Sequence, residues 1–172
     1  MIRFNENDFK KIFWENIDDK EENQNNYEQQ YDHKNKDGKS INFQGNAKEP
    51  MVKQYGCYLY SLINGAGEDP KKTDEYYKKF KDENKIDSEC LVQDPAGIAS
   101  EVDKENDYDF KKSDDYDPNA DIAIARFNNG AHDHFVQMDG PKKGDVSFDS
   151  LGHSNTVATG EIQDWRLLYK KD

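Results

Sequence analysis

Hydrophobic and polar positions change their spacing along the chain, from helical intervals in the first part to strand-like runs in the last third. Apolar side chains recur every three or four residues in four segments, which are residues 7–17, 57–65, 73–85 and 96–102. Short apolar or β-branched runs bounded by turn residues predict strands at residues 120–127, 134–138, 146–148 and 165–169. Helices followed by antiparallel strands are typical of the α+β class, and we predict that a central helix opening at Cys57 packs on a C-terminal antiparallel sheet.

The first fifty residues differ from the rest of the chain. Residues 18–40 are almost wholly polar, which is typical of a solvated arm and not of a packed element. The three residues 41–43 that follow predict a short strand. We therefore divide the chain into an N-terminal helix with a polar arm (1–50) and one folded domain (51–172).

The composition of the 172-residue chain is unusually polar, with 33% hydrophobic and 35% charged residues and a mean hydropathy of -1.21. Ten tyrosines and nine phenylalanines nevertheless supply aromatic side chains for a packed core. The formal net charge of -12 disfavours nucleic acid and anionic membrane surfaces as partners. Because no run approaches the roughly 18 apolar residues of a membrane span and no secretory signal precedes residue 15, we expect a protein without a membrane span that is cytoplasmic as synthesised.

The strongest chemical signal is the segment around Cys57. A polar stretch ends at Gly56, and an apolar run with helical spacing begins at Cys57. A thiol in the first turn of a helix lies close to free backbone N–H groups and to the positive helix end, and both favour the thiolate. Gln54, three residues earlier, is a candidate donor for a developing oxyanion. The structural alternative is a small buried residue at a helix start, since unpaired cysteine is among the most buried residue types. Cys57 and Cys90 alone do not make a disulfide framework.

A nucleophilic cysteine needs a base, and among the four histidines the strand pattern favours His134. Asn128-Asn129-Gly130 predicts a tight hairpin turn ahead of the His134 strand. A second turn centred on Lys142 pairs His134 with a position beside Asp149 across two adjacent strands, within reach of an imidazole–carboxylate hydrogen bond. The structural alternative for His134 is a half-buried strand histidine.

A zinc site is the competing interpretation of the same residues. His132 and His134 lie on one face of a strand and offer two imidazoles, which Asp149 or Cys57 would complete as ligands. No second clustered Cys/His pair with ligand spacing accompanies them, so we predict no metal and no cofactor.

The acidic segment 101–118 has alternating carboxylates that look like a calcium loop. However, Tyr108 stands where an EF-hand loop needs glycine, and Asp114 stands where it needs glutamate. We therefore predict a solvated acidic loop there.

Together these motifs resemble the C39-like branch of the papain-like cysteine peptidases. The similarity rests on Gln54-Tyr55-Gly56-Cys57 before a helix, on the strand from His134 to Gly140 with its His-Phe-Val-x-Met-x-Gly pattern, and on Asp149-Ser150 at the end of the next strand. In that family a cysteine begins the central helix, and a histidine and an aspartate follow on successive strands. The resemblance covers about Gln54 to Tyr169 and implies a papain-like fold.

The resemblance also implies a cysteine peptidase or amidohydrolase that cleaves an amide bond. In that reaction Cys57 is the nucleophile, His134 is the base and Asp149 orients the imidazole. Gln54 is the expected oxyanion donor, with Gln44 as the alternative because the family's glutamine usually lies further ahead of the cysteine.

The family includes peptidases of bacteriocin leaders, which are fused to transporters, and stand-alone murein endopeptidases of phages and bacteria. This small, acidic chain, rich in Asn, Lys and Asp, resembles a phage or prophage product. We therefore expect a monomeric, endolysin-like enzyme that acts on a peptide or on peptidoglycan and reaches the cell wall by a non-Sec route. The bulky tyrosines after Cys57, where the family has smaller residues, leave a second hypothesis, which is an inactive peptidase-fold interaction or inhibitor protein that binds through the acidic segments 18–40 and 101–118.

Overall fold

A computed structural model describes residues 40–172. The helix predicted at 7–17 and the polar arm, except for Ser40, lie outside the described residues. Five α-helices occur within residues 40–172, and they are α1 (Pro50–Tyr55), α2 (Cys57–Gly65), α3 (Thr73–Asp82), α4 (Pro95–Asp103) and α5 (Asn155–Thr159). The strands in the same part of the chain are β1 (Tyr108–Ser113), β2 (Ile122–Asn128), β3 (Asp133–Met138), β4 (Val146–Phe148) and β5 (Glu161–Lys170). Short 3₁₀ turns occupy Gln44–Asn46, Pro70–Lys72 and Lys143–Asp145.

The five strands form one antiparallel sheet in the order β1-β5-β2-β3-β4. The strand β2 is buried on both faces from Ile122 to Phe127, as its continuous apolar run predicts. It pairs with β3 through a hairpin in which Asn128 lies opposite Asp133. The predicted α+β class with an antiparallel sheet is confirmed.

Two apolar clusters lie on opposite faces of this sheet. The larger cluster contains the buried face of α2, including Leu59 and Leu62, against Ile124 of β2 and Phe135 of β3. The smaller cluster lies on the other face, where Val157 of α5 packs with alternate residues of β2, β3 and β5. Because α2 runs through the larger cluster, its first residue is held firmly against the sheet.

Local signals explain where several helices begin. Pro95 opens α4, and the Asp94 side chain accepts a hydrogen bond from the Gly97 N–H at 2.9 Å, as expected for a helix N-cap. The helix α3 occupies Thr73–Asp82 and ends three residues before the predicted end; Thr73, predicted as its N-cap, is its first helical residue, and its hydroxyl donates to the Pro70 carbonyl at 2.7 Å.

Residues 50–55, for which the sequence predicted no element, form the helix α1. Two predicted features are wrong. Residues 41–43 form no strand and instead lead into the 3₁₀ turn at Gln44–Asn46. The acidic segment 101–118 contains an edge strand, β1, in which Tyr108 is buried and the next four side chains are exposed. An edge strand with exposed positions in succession has no apolar alternation, so the hydropathy pattern gave no sign of it.

No helix within residues 40–172 is long and apolar enough to cross a membrane.

Candidate active site

Cys57 is the first residue of α2, and its side chain is 1% exposed. Gly56 separates α1 from α2, and a Cβ atom at Gly56 would lie 2.4 Å from the Val52 carbonyl oxygen, which is too close for any side chain. The glycine therefore allows the chain to leave α1 and restart as α2 at the cysteine. Gly56 has no side chain that could cap α2, so the helix offers its first-turn N–H groups, including that of Cys57, to other acceptors.

His134 lies in β3, and Asp149 directly follows β4. The His134 Nε2 atom is 2.8 Å from Oδ1 of Asp149, so the predicted contact between these side chains is confirmed. Because Nε2 faces the carboxylate, Nδ1 is the ring nitrogen that remains for Cys57, whose thiol lies close enough to the imidazole to raise the pKa of His134. The three side chains therefore form a continuous buried row of thiol, imidazole and carboxylate.

The Asp149 carboxylate is fixed by the loop that follows it. Its Oδ1 accepts the Leu151 N–H at 2.9 Å, and its Oδ2 accepts the Ser154 N–H at 2.8 Å. Burial alone raises the pKa of Asp149, but the charge and hydrogen bond of His134 and the two backbone donors together lower it below its ordinary value. Asp149 is therefore an ionised acceptor that cannot rotate away from the histidine without losing backbone hydrogen bonds.

The surroundings of His134 also change the pKa of its imidazole. Burial alone lowers the pKa of His134, but the charge and hydrogen bond of Asp149, followed by those of Cys57, raise it well above its ordinary value. The Asp149 carboxylate therefore favours the protonated imidazole, which is the form that a thiolate–imidazolium pair requires.

The two candidate glutamines occupy different environments. Gln54 is a half-buried residue of α1, and its side chain makes no hydrogen bond to the described residues, so its role as an oxyanion donor stays a prediction. Gln44 is buried, and its side-chain Nε2 donates to the Lys53 carbonyl at 3.1 Å while its Oε1 accepts the Ser150 hydroxyl at 2.7 Å. Gln44 therefore lies between the chain leading to Cys57 and the residue that follows Asp149.

The zinc interpretation finds no support in the geometry. Among the described residues, no group of three or more His, Cys, Asp or Glu side chains is arranged to hold a metal ion. His132 lies in the turn before β3, where its backbone N–H donates to Asn129 Oδ1 at 2.8 Å. His134 instead forms its side-chain hydrogen bond with Asp149.

A buried charge network beside the site was missed by the sequence analysis. Arg126 of β2 donates through Nε and Nη2 to the Asp164 carboxylate of β5, with the shortest contact at 2.8 Å, and through Nη1 to Asp133 at 3.1 Å. Arg166 donates to Asp164 at 2.5 Å. All four residues are less than a tenth exposed, and Asp133 directly precedes His134. A single arginine inside the apolar run of β2 was the only sequence signal for this network.

Aromatic stacking joins this network to the first turn of α2. The Tyr58 ring stacks on Phe135 with centroids 4.7 Å apart, and the Arg166 guanidinium lies 5.3 Å from the same Phe135 ring. Tyr58 is buried, and its hydroxyl has no hydrogen-bond partner among the described residues. The tyrosine that follows Cys57 therefore packs inward on the sheet.

The described residues define an α+β protein in which a buried cysteine, histidine and aspartate lie side by side. A family model described as "Protein of unknown function, DUF261" matches residues 41–170. The match covers most of the chain, and the chain belongs to this family. No curated protein and no solved structure matches the chain.

Proposed function

We propose that this protein is a papain-like thiol hydrolase that cleaves an amide bond through Cys57, His134 and Asp149. The observation that carries the proposal is the buried row of side chains in which Asp149 holds His134 Nε2 at 2.8 Å and leaves Nδ1 for the thiol at the start of α2. A nucleophile, a base and a group that orients the base are the three parts of this type of catalysis.

The first half of the reaction forms a thioester. His134 Nδ1 takes the proton of the Cys57 thiol, and the thiolate attacks the carbonyl carbon of the substrate amide. The negative charge that develops on the carbonyl oxygen accepts a hydrogen bond from the Cys57 N–H, which belongs to the first turn of α2. The C–N bond then breaks as His134 returns its proton to the leaving nitrogen, and the free amine departs.

The second half regenerates the thiol. His134, now neutral, takes a proton from a water molecule, and the hydroxide attacks the thioester carbonyl. Collapse of this second tetrahedral intermediate breaks the C–S bond, releases a carboxylic acid and returns a proton to Cys57. Asp149 keeps the imidazole in one orientation and stabilises its positive charge in both halves.

A peptide or the peptide part of peptidoglycan is the proposed substrate class. This proposal rests on the resemblance to stand-alone murein endopeptidases, in which the cysteine, histidine and aspartate have the same order along the chain. It includes an endolysin-like role in a phage or prophage, with release to the cell wall by a non-Sec route.

A second candidate function is a binding protein on a peptidase scaffold without catalysis. The burial of Cys57 and His134 favours it, because a nucleophile must be reached by its substrate. The stacking of Tyr58 against Phe135 beside the thiol has the same implication. A binding protein would tolerate replacement of Cys57 without loss of partner affinity.

Hydrolysis assays on purified peptidoglycan and on a mixed peptide library distinguish these functions. We expect the Cys57→Ala variant to lose hydrolysis by at least about 10³-fold, since removal of a nucleophile leaves only residual catalysis. Cys90→Ala is the matched control, because Cys90 is also a buried cysteine, and its burial raises the pKa of its thiol. Equal activity of the wild type and Cys57→Ala would contradict the proposal.

A further inference from the structure

The side chain of Gln44 connects the two halves of the candidate site. Gln44 is 4% exposed and lies in the 3₁₀ turn Gln44–Asn46, where its backbone and side-chain polar groups all have partners. Its amide Nε2 donates to the Lys53 carbonyl at 3.1 Å, its Oε1 accepts the Ser150 hydroxyl at 2.7 Å, and its backbone N–H donates to the Ser150 carbonyl at 2.9 Å. A buried glutamine with every group satisfied holds its neighbours at fixed distances.

The hydrogen bond from Gln44 to the Lys53 carbonyl affects the backbone N–H of Cys57, the proposed nucleophile. In an uninterrupted helix the carbonyl of residue 53 accepts the N–H of residue 57. Here Gly56 keeps right-handed backbone angles (φ −78°, ψ −2°) but separates the two helices, so α1 ends at Tyr55 and α2 starts anew at Cys57. The Lys53 carbonyl instead accepts the Gln44 side chain. Gln44 thus supplies the hydrogen bond that Cys57 would otherwise donate.

The hydrogen bonds between Gln44 and Ser150 affect the position of the Asp149 carboxylate. Ser150 is buried and follows Asp149 directly, so its hydroxyl and carbonyl determine how the chain leaves the aspartate. Two hydrogen bonds between Ser150 and Gln44, one donated by each residue, fix the Asp149 loop relative to α1.

The residue before Gln44 strengthens the connection. Phe43 packs between Tyr60 of α2 and Phe148 of β4, with ring centroids 6.5 Å and 5.9 Å away. The Tyr60 hydroxyl also donates to the Phe43 carbonyl at 3.1 Å. Residues 43 and 44 therefore lie between the helix that carries the thiol and the strand that precedes the carboxylate.

We propose that Gln44 is a positioning residue with two effects. It keeps the Cys57 N–H available to the developing oxyanion, and it fixes the position of Asp149 relative to Cys57. Gln44 acts through the Lys53 carbonyl and Ser150, and its side-chain amide does not itself contact the substrate oxygen. The inference rests on the proposed thiol hydrolase function. It assigns the oxyanion donor to the Cys57 N–H, which stays free for the substrate because Gln44 occupies the Lys53 carbonyl.

Two reagents separate this role from a purely structural one. Acylation of Cys57 by p-nitrophenyl acetate passes through a tetrahedral oxyanion, whereas alkylation by iodoacetamide displaces iodide and forms no oxyanion. A residue that serves the oxyanion site affects the first reaction and leaves the second unchanged.

Gln44→Glu is the sharpest variant, because it keeps an acceptor for the Ser150 hydroxyl and removes the donor to Lys53. We expect its rate of Cys57 acylation by p-nitrophenyl acetate to fall by about 10- to 100-fold, with iodoacetamide alkylation within about twofold of the wild type. Gln44→Met, which is unbranched and similar in size, is the second variant if the buried carboxylate prevents folding. Ser150→Ala is the matched variant for the other end, and there we expect the pH profile of alkylation to shift because the Asp149 loop is loosened.

The outcomes are distinct. Selective loss of acylation in a Gln44 variant that melts cooperatively supports the inference. Acylation at the wild-type rate, or parallel loss of acylation, alkylation and thermal stability, overturns it while leaving the thiol hydrolase proposal intact. Equal rates of acylation in the wild type and in Cys57→Ala overturn both this inference and the thiol hydrolase proposal.

Discussion

Replacement of Asp149 by asparagine is expected to lower the rate of Cys57-dependent hydrolysis by about 10⁴-fold, the loss typical of a triad whose histidine is held in the wrong tautomer. The carboxylate accepts from His134 and from the N–H groups of Leu151 and Ser154. An amide at this position has only one acceptor oxygen, so its NH₂ group must face either the imidazole or a backbone donor. Either orientation disturbs the histidine.

The rate is measured under saturating substrate, beside a thermal melt that reports folding. Asp139→Asn is the matched control, because Asp139 is exposed and lies just beyond β3 on the same hairpin. A decrease of less than about tenfold in Asp149→Asn would show that the carboxylate does not orient the base.

Replacement of Arg126 by methionine is expected to lower the free energy of unfolding by about 3–5 kcal/mol, the usual result of removing one partner from a buried ion pair. Arg126 is 6% exposed and contacts Asp133 and Asp164, which are also buried. Without the guanidinium both carboxylates lose their main partner, while Arg166 remains near Asp164 only.

The decrease in the free energy of unfolding in Arg126→Met depends on pH. Burial alone raises the pKa of Asp164, but the Arg126 hydrogen bonds and the charges of Arg166 and Arg126 lower it. A carboxyl group with a lowered folded-state pKa contributes stability above its unfolded pKa and loses it as the pH falls through the folded value. The part of the destabilisation that comes from Asp164 should therefore be complete at neutral pH and shrink as the pH falls below about 4.

Urea unfolding followed by tryptophan fluorescence measures this effect at each pH. Lys112→Met is the matched control, because Lys112 has a side chain that is 60% exposed and lies 3.8 Å from the same Asp164 carboxylate. An exposed pair contributes little, so we expect the control to unfold close to the wild type. Equal stability of Arg126→Met and Lys112→Met would contradict the view that the network holds β2, β3 and β5 together.

The contact between His134 and Asp149 could be predicted because it depends on local rules. A short turn fixes which residues of two neighbouring strands face each other, and the apolar runs on either side of Lys142 fix where the strands lie. The start of α2 at Cys57 could be predicted for the same reason, since a glycine followed by an apolar helical run marks a helix boundary.

The parts that could not be predicted depend on contacts between distant residues. Gln44 and Ser150 are 106 positions apart, and nothing near either residue indicates the other. The insertion of β5 between β1 and β2 likewise follows from long-range packing. Arg126 and Asp164 were hidden because charged residues are usually exposed, and only their pairing makes burial acceptable.

The most direct test of the central claim is the rate of iodoacetamide alkylation of Cys57 as a function of pH, read from the modified peptide by mass spectrometry in the wild type and in His134→Ala. We predict rapid alkylation of Cys57 near pH 6, well below the range of about pH 8–9 in which an ordinary thiol titrates, and loss of this reactivity in His134→Ala. The second cysteine, Cys90, is the internal control: it is as buried as Cys57, but its burial raises the pKa of its thiol, so it should stay unmodified in the folded protein. Slow alkylation of Cys57 with the same ordinary profile in both proteins would contradict the thiolate–imidazolium pair and favour the binding protein.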